Sequence, residues 1–189
     1  MTLRDLLVER QSALCERWRD AILAEYGGLT ATRWRRERDP FANPVGHMLA
    51  TGLPELLEAV SQGGDPARSA TAALEGIVRI RAVQDLAPSR AVGFVYLLRD
   101  AIREELSAEL ANGAHGAELA EVDGRIERLA LLAFDTYVRL RDQMFHLRQE
   151  ELKRSVASIL RRWHGAESPE PAAQDLVRLS PPSGDVGQR

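Results

Sequence analysis

RIRAVQDLAPSRAVGFVYLLRDAIREE, residues 79–105, is the stretch from which the fold is most directly inferred. Apolar residues recur at helical spacing on both sides of Pro88, and a proline cannot continue the helix that precedes it. The stretch therefore predicts the end of one helix, a tight corner and a second helix with a core-facing stripe. The members of that stripe are Ala91, Val95, Leu98, Ile102 and Leu106.

Polar side chains interrupt the apolar pattern at this corner. Arg81 and Asp85 are four residues apart, which is within ion-pair reach on a helix. The turn at residues 39–43 offers further polar partners. We predict a buried or half-buried polar network that fixes the corner. Its predicted members are Asp39, Asn43, Arg81, Gln84 and Asp85. The alternative that the sequence leaves open is an ordinary exposed ion pair together with helix capping.

Helical periodicity and capping signals extend over most of the chain. Asn43 followed by Pro44 is typical of a helix start, and Thr2 with Asp5 resembles a capping pair. The predicted helices span about residues 2–26, 44–60, 66–85, 88–110 and 116–163. No segment has the alternating pattern of a strand. The predicted fold class is therefore an all-α bundle of about five helices with a long C-terminal helix.

The last predicted helix carries two apolar stripes. Its first part has a core stripe that runs from Leu119 to Leu140. Its last part follows the spacing of four and three residues that is typical of a coiled coil. We predict that this part projects and pairs with another chain through a seam. The seam consists of Phe145, Leu152, Val156, Ile159 and Trp163. The alternative is a break near Gln149, after which the segment folds back as a sixth core helix.

Composition restricts the function further. The net charge of −3 argues against a nucleic-acid-binding protein. No run of roughly 18 apolar residues is present, the N-terminus lacks an apolar signal core, and the single Cys15 cannot form an internal disulfide. We expect a cytoplasmic protein without a membrane partner. Its helical domain would span residues 1–164, and residues 165–189, rich in Pro and Ser, would form a disordered tail.

The residue types that catalysis or metal binding requires do not form a recognisable pattern. The four histidines are His47, His115, His146 and His164. Since no two lie three or four residues apart, they form no helical pair of metal ligands. The helices on either side of the corner contain no histidine that could ligate haem. No nucleophile has a base and an orienting group close by, and no glycine-rich phosphate loop follows a strand. We therefore expect neither an enzyme nor a metal or cofactor.

Four stretches, taken in order, carry a resemblance to a known family. They are the opening helix with Leu6, Leu7 and Trp18, the turn DPFANPVG at residues 39–46, the corner with RIRAVQD and PSRAV, and LALLAFDTY at residues 129–137. Together they resemble the N-terminal domain of the RsbR/RsbRD-type RsbT co-antagonist proteins of bacterial stress signalling. The resemblance covers about residues 1–160.

This resemblance implies a globin-like, non-haem helical domain that dimerises and acts as a sensor or input module. The signal would pass through the C-terminal helix into an output domain. The full-length co-antagonists carry a STAS domain that engages a kinase, whereas this sequence ends in the predicted tail. We therefore expect a stand-alone homodimeric module with a signalling partner in trans. Two alternatives stay open: an adaptor that docks a partner through the final helix and tail, and a haem or small-ligand sensor.

Overall fold

The computed structural model describes residues 1–26, 39, 41–65, 69–84 and 86–166, with side chains described as far as Trp163. Helices and turns make up this part of the chain, and it contains no strand. The helices are α1 (Leu3–Glu9), α2 (Gln11–Ala24), α3 (Pro44–Ser61), α4 (Thr71–Val83), α5 (Pro88–Gly93), α6 (Leu97–Glu105), α7 (Ser107–Leu110) and α8 (Gly116–Ala166). The predicted all-α class and the long last helix are confirmed.

Local sequence signals set the starts of α1 and α3. The hydroxyl of Thr2 accepts a hydrogen bond from the Asp5 amide at 3.2 Å, and the Asp5 carboxylate accepts one from the Thr2 amide at 2.8 Å. This reciprocal pair is a capping box. Asn43 accepts a hydrogen bond from the Gly46 amide at 2.8 Å, and Pro44 occupies the first turn, where a missing amide hydrogen costs little. Both starts agree with the sequence prediction.

Two of the predicted helices are divided in the structure. The first predicted helix is interrupted at Arg10, whose φ of −95° and ψ of 12° are not helical. The predicted helix after the corner is divided into α5, α6 and α7. Near Phe94 the amides of Val95 and Tyr96 bond to carbonyls three residues earlier, at 3.2 and 3.0 Å, which tightens the turn. The apolar pattern continues through both breaks, so periodicity alone does not reveal them.

The chain divides into two compact units, Met1–Met144 and Phe145–Arg189. In the first unit, α2 packs against α3 and α6, and α3 packs against α4. Among the described residues, Trp18 and Phe94 are the largest fully buried side chains, and their rings stack with centroids 6.3 Å apart. The indole nitrogen of Trp18 donates to the Phe94 carbonyl at 2.7 Å, so this buried polar group has a partner.

The stripes that the sequence predicts for the first unit face this core. All five predicted members from Ala91 to Leu106 are buried. On α8, the predicted members from Val122 to Leu140 are buried, and Leu119 is partly buried against the core. The apolar periodicity therefore identifies the inward faces of these helices correctly.

The second unit contains the last part of α8. The helix continues through Gln149 to Ala166 without interruption, so the alternative of a break near Gln149 is wrong. The predicted domain end at residue 164 and the disordered tail at residues 165–189 stay predictions. From residue 167 onwards the chain lies outside the described residues.

Candidate functional site

The corner between α4 and α5 encloses a buried charge. The side chain of Arg81, in the last turn of α4, is only 3% exposed. Its guanidinium donates to the Ala91 carbonyl at 3.1 Å and the Arg90 carbonyl at 2.6 Å. It also donates to the Tyr26 hydroxyl at 3.1 Å and to the Glu25 carboxylate at 2.5 Å. One opposite charge and three further acceptors therefore offset the cost of taking this arginine out of water.

Two aromatic rings lie beside the same guanidinium. The central carbon of the Arg81 guanidinium is 5.5 Å from the Tyr26 ring centroid and 5.4 Å from that of Phe94. These distances are within the range of cation–π attraction. Burial raises the pKa of the Tyr26 hydroxyl, and the positive charge of Arg81 opposes that shift. Tyr26 therefore stays neutral at physiological pH and can both accept from Arg81 and donate.

The structure describes four of the five predicted network residues and places them in separate contacts. The Tyr26 hydroxyl donates to the Gln84 side chain at 2.9 Å, so Arg81 and Gln84 are joined through this tyrosine. Asn43 is buried and caps α3, and the carboxylate of Asp39, which is exposed, accepts the Phe41 amide at 3.0 Å. Asp85 lies outside the described residues, so its pair with Arg81 stays a prediction.

The sequence pattern does not indicate which carboxylate pairs with Arg81. Glu25 is 56 residues away in the chain, at the end of α2, and Tyr26 follows it directly. Local spacing rules reach only three or four residues along a helix. A charged residue followed by an aromatic one at a helix end is too common a pattern to single out this pair.

A buried tyrosine ties the corner to α8. The hydroxyl of Tyr137 donates to the Leu86 carbonyl, between α4 and α5, at 2.7 Å. Two residues further along α8, Arg139 bonds to Glu75 of α4 at 3.1 Å. The hydrogen bonds from Arg139 and from Arg79 lower the pKa of the Glu75 carboxyl. The corner and this part of α8 are therefore held by one buried and one exposed polar contact.

The preceding turns of α8 are tied to three other helices. Glu118 accepts the Leu3 amide at the start of α1 at 2.5 Å, and Arg125 donates to the Val60 carbonyl of α3. Asp123 pairs with Arg99 of α6 at 3.2 Å and with Arg103 at 2.6 Å. The side chains of α8 from Glu118 to Arg139 thus join this helix to α1, α3, α4 and α6.

Large apolar side chains on α8 also lie outside the core. In the first unit, Leu131, Phe134 and Val138 are exposed. In the second unit, all five residues of the predicted seam are exposed, from 47% at Val156 to 66% at Leu152. In the sequence, residues 131, 138, 145, 152 and 159 are seven apart, and each is apolar. The seam prediction concerns a second chain and stays a prediction.

The described residues around the corner enclose only a small space. The space lined by Ile22, Met48, Ile77 and Arg81 has a volume of about 10 Å³, which holds about one water molecule. It has no room for haem in this conformation. Among the described residues, no cluster of His, Cys, Asp and Glu side chains is suited to a metal ion. Nor does any helix in this part of the chain combine the length and apolarity that crossing a membrane requires.

Comparison with known proteins gives one match. A family model, described as the RsbT co-antagonist protein rsbRD N-terminal domain, matches residues 12–152. This range covers most of the chain and includes the Arg81 corner and most of α8. No curated protein and no solved structure matches.

Proposed function

The chain belongs to the rsbRD N-terminal domain family, a family of signalling regulatory domains, and from this premise we propose that it is a non-enzymatic, homodimeric input domain. The signal leaves through α8. One observation carries this proposal: α8 is fastened to the core over its first half and continues for more than twenty residues with exposed apolar side chains. A helix of this kind can carry a change in the core to a contact outside it.

The exposed apolar face supports pairing with a second copy. Contiguous exposed apolar groups usually mark an interaction surface. Fully burying one large apolar side chain contributes about 1.5–3 kcal/mol. Since the five seam residues are 47–66% exposed, the ten of them in a dimer would contribute on the order of 7–20 kcal/mol, which is comparable with an association cost of about 4–15 kcal/mol. Their spacing of four and three residues suits knobs-into-holes packing between two helices.

The Tyr137 contact supports a route from the corner into α8. A displacement of Leu86, which joins α4 to α5, would act directly on the hydroxyl of Tyr137. Arg81 holds the other side of this corner through the carbonyls of Arg90 and Ala91. A stimulus that shifts the corner would therefore bias the position or pairing of α8, which is how a bistable element transmits a signal.

Mass measurement in solution tests the proposal. One chain has a mass of 21.0 kDa, so light scattering during size-exclusion chromatography should give twice that mass at micromolar concentration. Leu152→Glu, within the seam, should give the mass of one chain. Leu147→Glu is the matched control: Leu147 is also 66% exposed but lies off the seam, so this variant should remain a dimer. A wild-type protein that stays a single chain at tens of micromolar would overturn the proposal.

A further inference from the structure

A cleft between α2 and α3 differs from the corner in both shape and chemistry. Its volume is about 340 Å³, and Cys15, Arg19, Leu49 and Pro54 are among its lining residues. That is about twice the ~150 Å³ of an engineered apolar cavity that binds benzene. The cleft therefore has room for a molecule of about six to ten carbon atoms.

Arg19 lines this cleft with an unsatisfied donor. Its Nε atom is buried and has no hydrogen-bond partner among the residues that the structure describes. Two other arginines of the same region behave differently: Arg17 pairs with Glu104 and Glu105 at 3.1 Å, and Arg10 lies 3.8 Å from Glu105. Arg19 as a whole is only partly buried, but leaving its buried Nε–H without an acceptor is costly. An acceptor that bonds both Nε and a terminal nitrogen, as a carboxylate does, would remove that cost.

The rest of the cleft suits the apolar body of such a ligand. Leu49 and Leu53 are buried core residues that form part of its lining. Burial raises the pKa of the Cys15 thiol to about 11, so this group is uncharged at neutral pH and does not repel an anion. Glu16 also lines the cleft, but it is exposed to solvent, which weakens its repulsion.

A proline in α3 adds an acceptor to the cleft. Pro54 lies inside the helix and has no amide hydrogen, so the carbonyl of Ala50, four residues earlier, lacks its usual helical donor. Ala50 and Pro54 both line the cleft. A hydroxyl on the ligand could donate to this carbonyl.

We propose that this cleft binds a small organic monocarboxylate, with the carboxylate on Arg19, the hydrocarbon chain over Leu49 and Leu53, and any hydroxyl towards Ala50. The site does not depend on dimerisation. A monomeric wild type would therefore not contradict the carboxylate site, and a protein that binds no carboxylate would not contradict the dimer.

Titrations followed by amide chemical shifts in NMR test the site on the full chain, at constant ionic strength. The probes are sodium hexanoate, 6-hydroxyhexanoate and the uncharged hexanamide. Hexanoate should give saturable shifts that cluster on residues 11–19 and 49–54. Hexanamide should bind at least about tenfold more weakly, because it cannot form the charge-assisted pair. The hydroxy acid should bind more tightly than hexanoate.

Two variants separate the role of Arg19 from a general charge effect. Arg19→Gln should bind hexanoate and hexanamide equally weakly while its amide spectrum remains that of a folded protein. Arg4→Gln removes the same charge from an exposed position on α1, outside the cleft, and should retain the preference for hexanoate. Equal affinity of the wild type for both probes, shifts that map elsewhere, or no saturation at millimolar hexanoate would overturn the inference.

Discussion

The guanidinium of Arg81 lies in the core, where four hydrogen-bond acceptors and two aromatic rings surround it. Its neighbour two residues earlier, Arg79, has the same charge but is 59% exposed and pairs with Glu75 at the surface. Both arginines lie on α4, but their removal would leave different groups without a hydrogen-bond donor. Loss of Arg81 would leave two carbonyls and a half-buried carboxylate without their donor.

Arg81→Met should lower the free energy of unfolding by about 2–4 kcal/mol, less than for a fully buried pair because Glu25 can regain some water. The side chain of Glu25 is 28% exposed. The control, Arg79→Met, should cost within about 0.5 kcal/mol. Urea titration of the two variants measures both values. Equal costs would mean that the buried contacts contribute no more than a surface pair.

The pKa of the Cys15 thiol tests how far the cleft shields this group from water. Its pKa in the folded chain is raised by burial to about 11, against 9.0 for the free group, while the charge of Arg19 opposes the rise. The rate of alkylation by a small reagent should therefore increase with pH up to about 11 in the native protein. In urea, the same profile should have its midpoint near 9. A native midpoint at or below that of the unfolded chain would show that the thiol is not desolvated.

The raised pKa of the Cys15 thiol also makes the stability of the fold depend on pH. Between the unfolded and folded pKa values, the folded chain holds a proton on the thiol that the unfolded chain has released. Stability should therefore fall as the pH rises from about 9 to about 11. Cys15→Ala should lose that part of the pH dependence, which urea titrations at pH values across this window would detect. An unchanged pH dependence in the variant would contradict the assignment.

At the scale of the helix, α8 combines an anchored part and an exposed part. Tyr137 supplies the anchor nearest the corner, and it is 4% exposed. Tyr137→Phe should cost about 1 kcal/mol, the usual net value of one hydrogen bond. It should also speed amide exchange around residues 84–87 and 136–140. Tyr96→Phe, at an exposed tyrosine, should change neither. Unaltered exchange in Tyr137→Phe would show that this contact does not couple the corner to α8.

The charges beside the predicted seam give a prediction about salt. Arg148, Lys153 and Arg162 fall at positions flanking the seam in the heptad pattern. Lys153 is partly neutralised by Glu150 at 3.1 Å. In a homodimer, basic groups of the two copies would face each other, and added salt would screen their repulsion. The dimer should therefore tighten as the salt concentration rises, as measured by sedimentation. A dimer that weakens with salt would instead be held by ion pairs across the interface.

Periodicity and capping signals were sufficient to predict most of the elements. The inward faces of α6 and α8, and the starts at Thr2 and Asn43, all follow from local rules. The breaks at Arg10 and near Phe94 were not predictable, because the apolar pattern is continuous through both. The contacts of Arg81 with Glu25 and of Tyr137 with Leu86 join residues 56 and 51 positions apart, and only the packed helices bring them together.

At the scale of the whole molecule, the chain divides into two units, and α8 begins in the first unit and continues in the second. Membership of a signalling regulatory family gives this arrangement its context. The central claim is that α8 is stabilised in two ways. Residues 118–140 are stabilised by the core of their own chain, and residues 145–163 by pairing with a second copy.

Amide hydrogen exchange along α8 tests this claim most directly. Exchange would be measured in the wild type at protein concentrations above and below the dissociation constant of the dimer, and in Leu152→Glu. Residues 118–140 should keep their protection in all three samples. Residues 145–163 should be protected only in the concentrated wild type, because an isolated helix of this length is marginally stable in water. Equal protection of residues 145–163 in all three samples would contradict the claim.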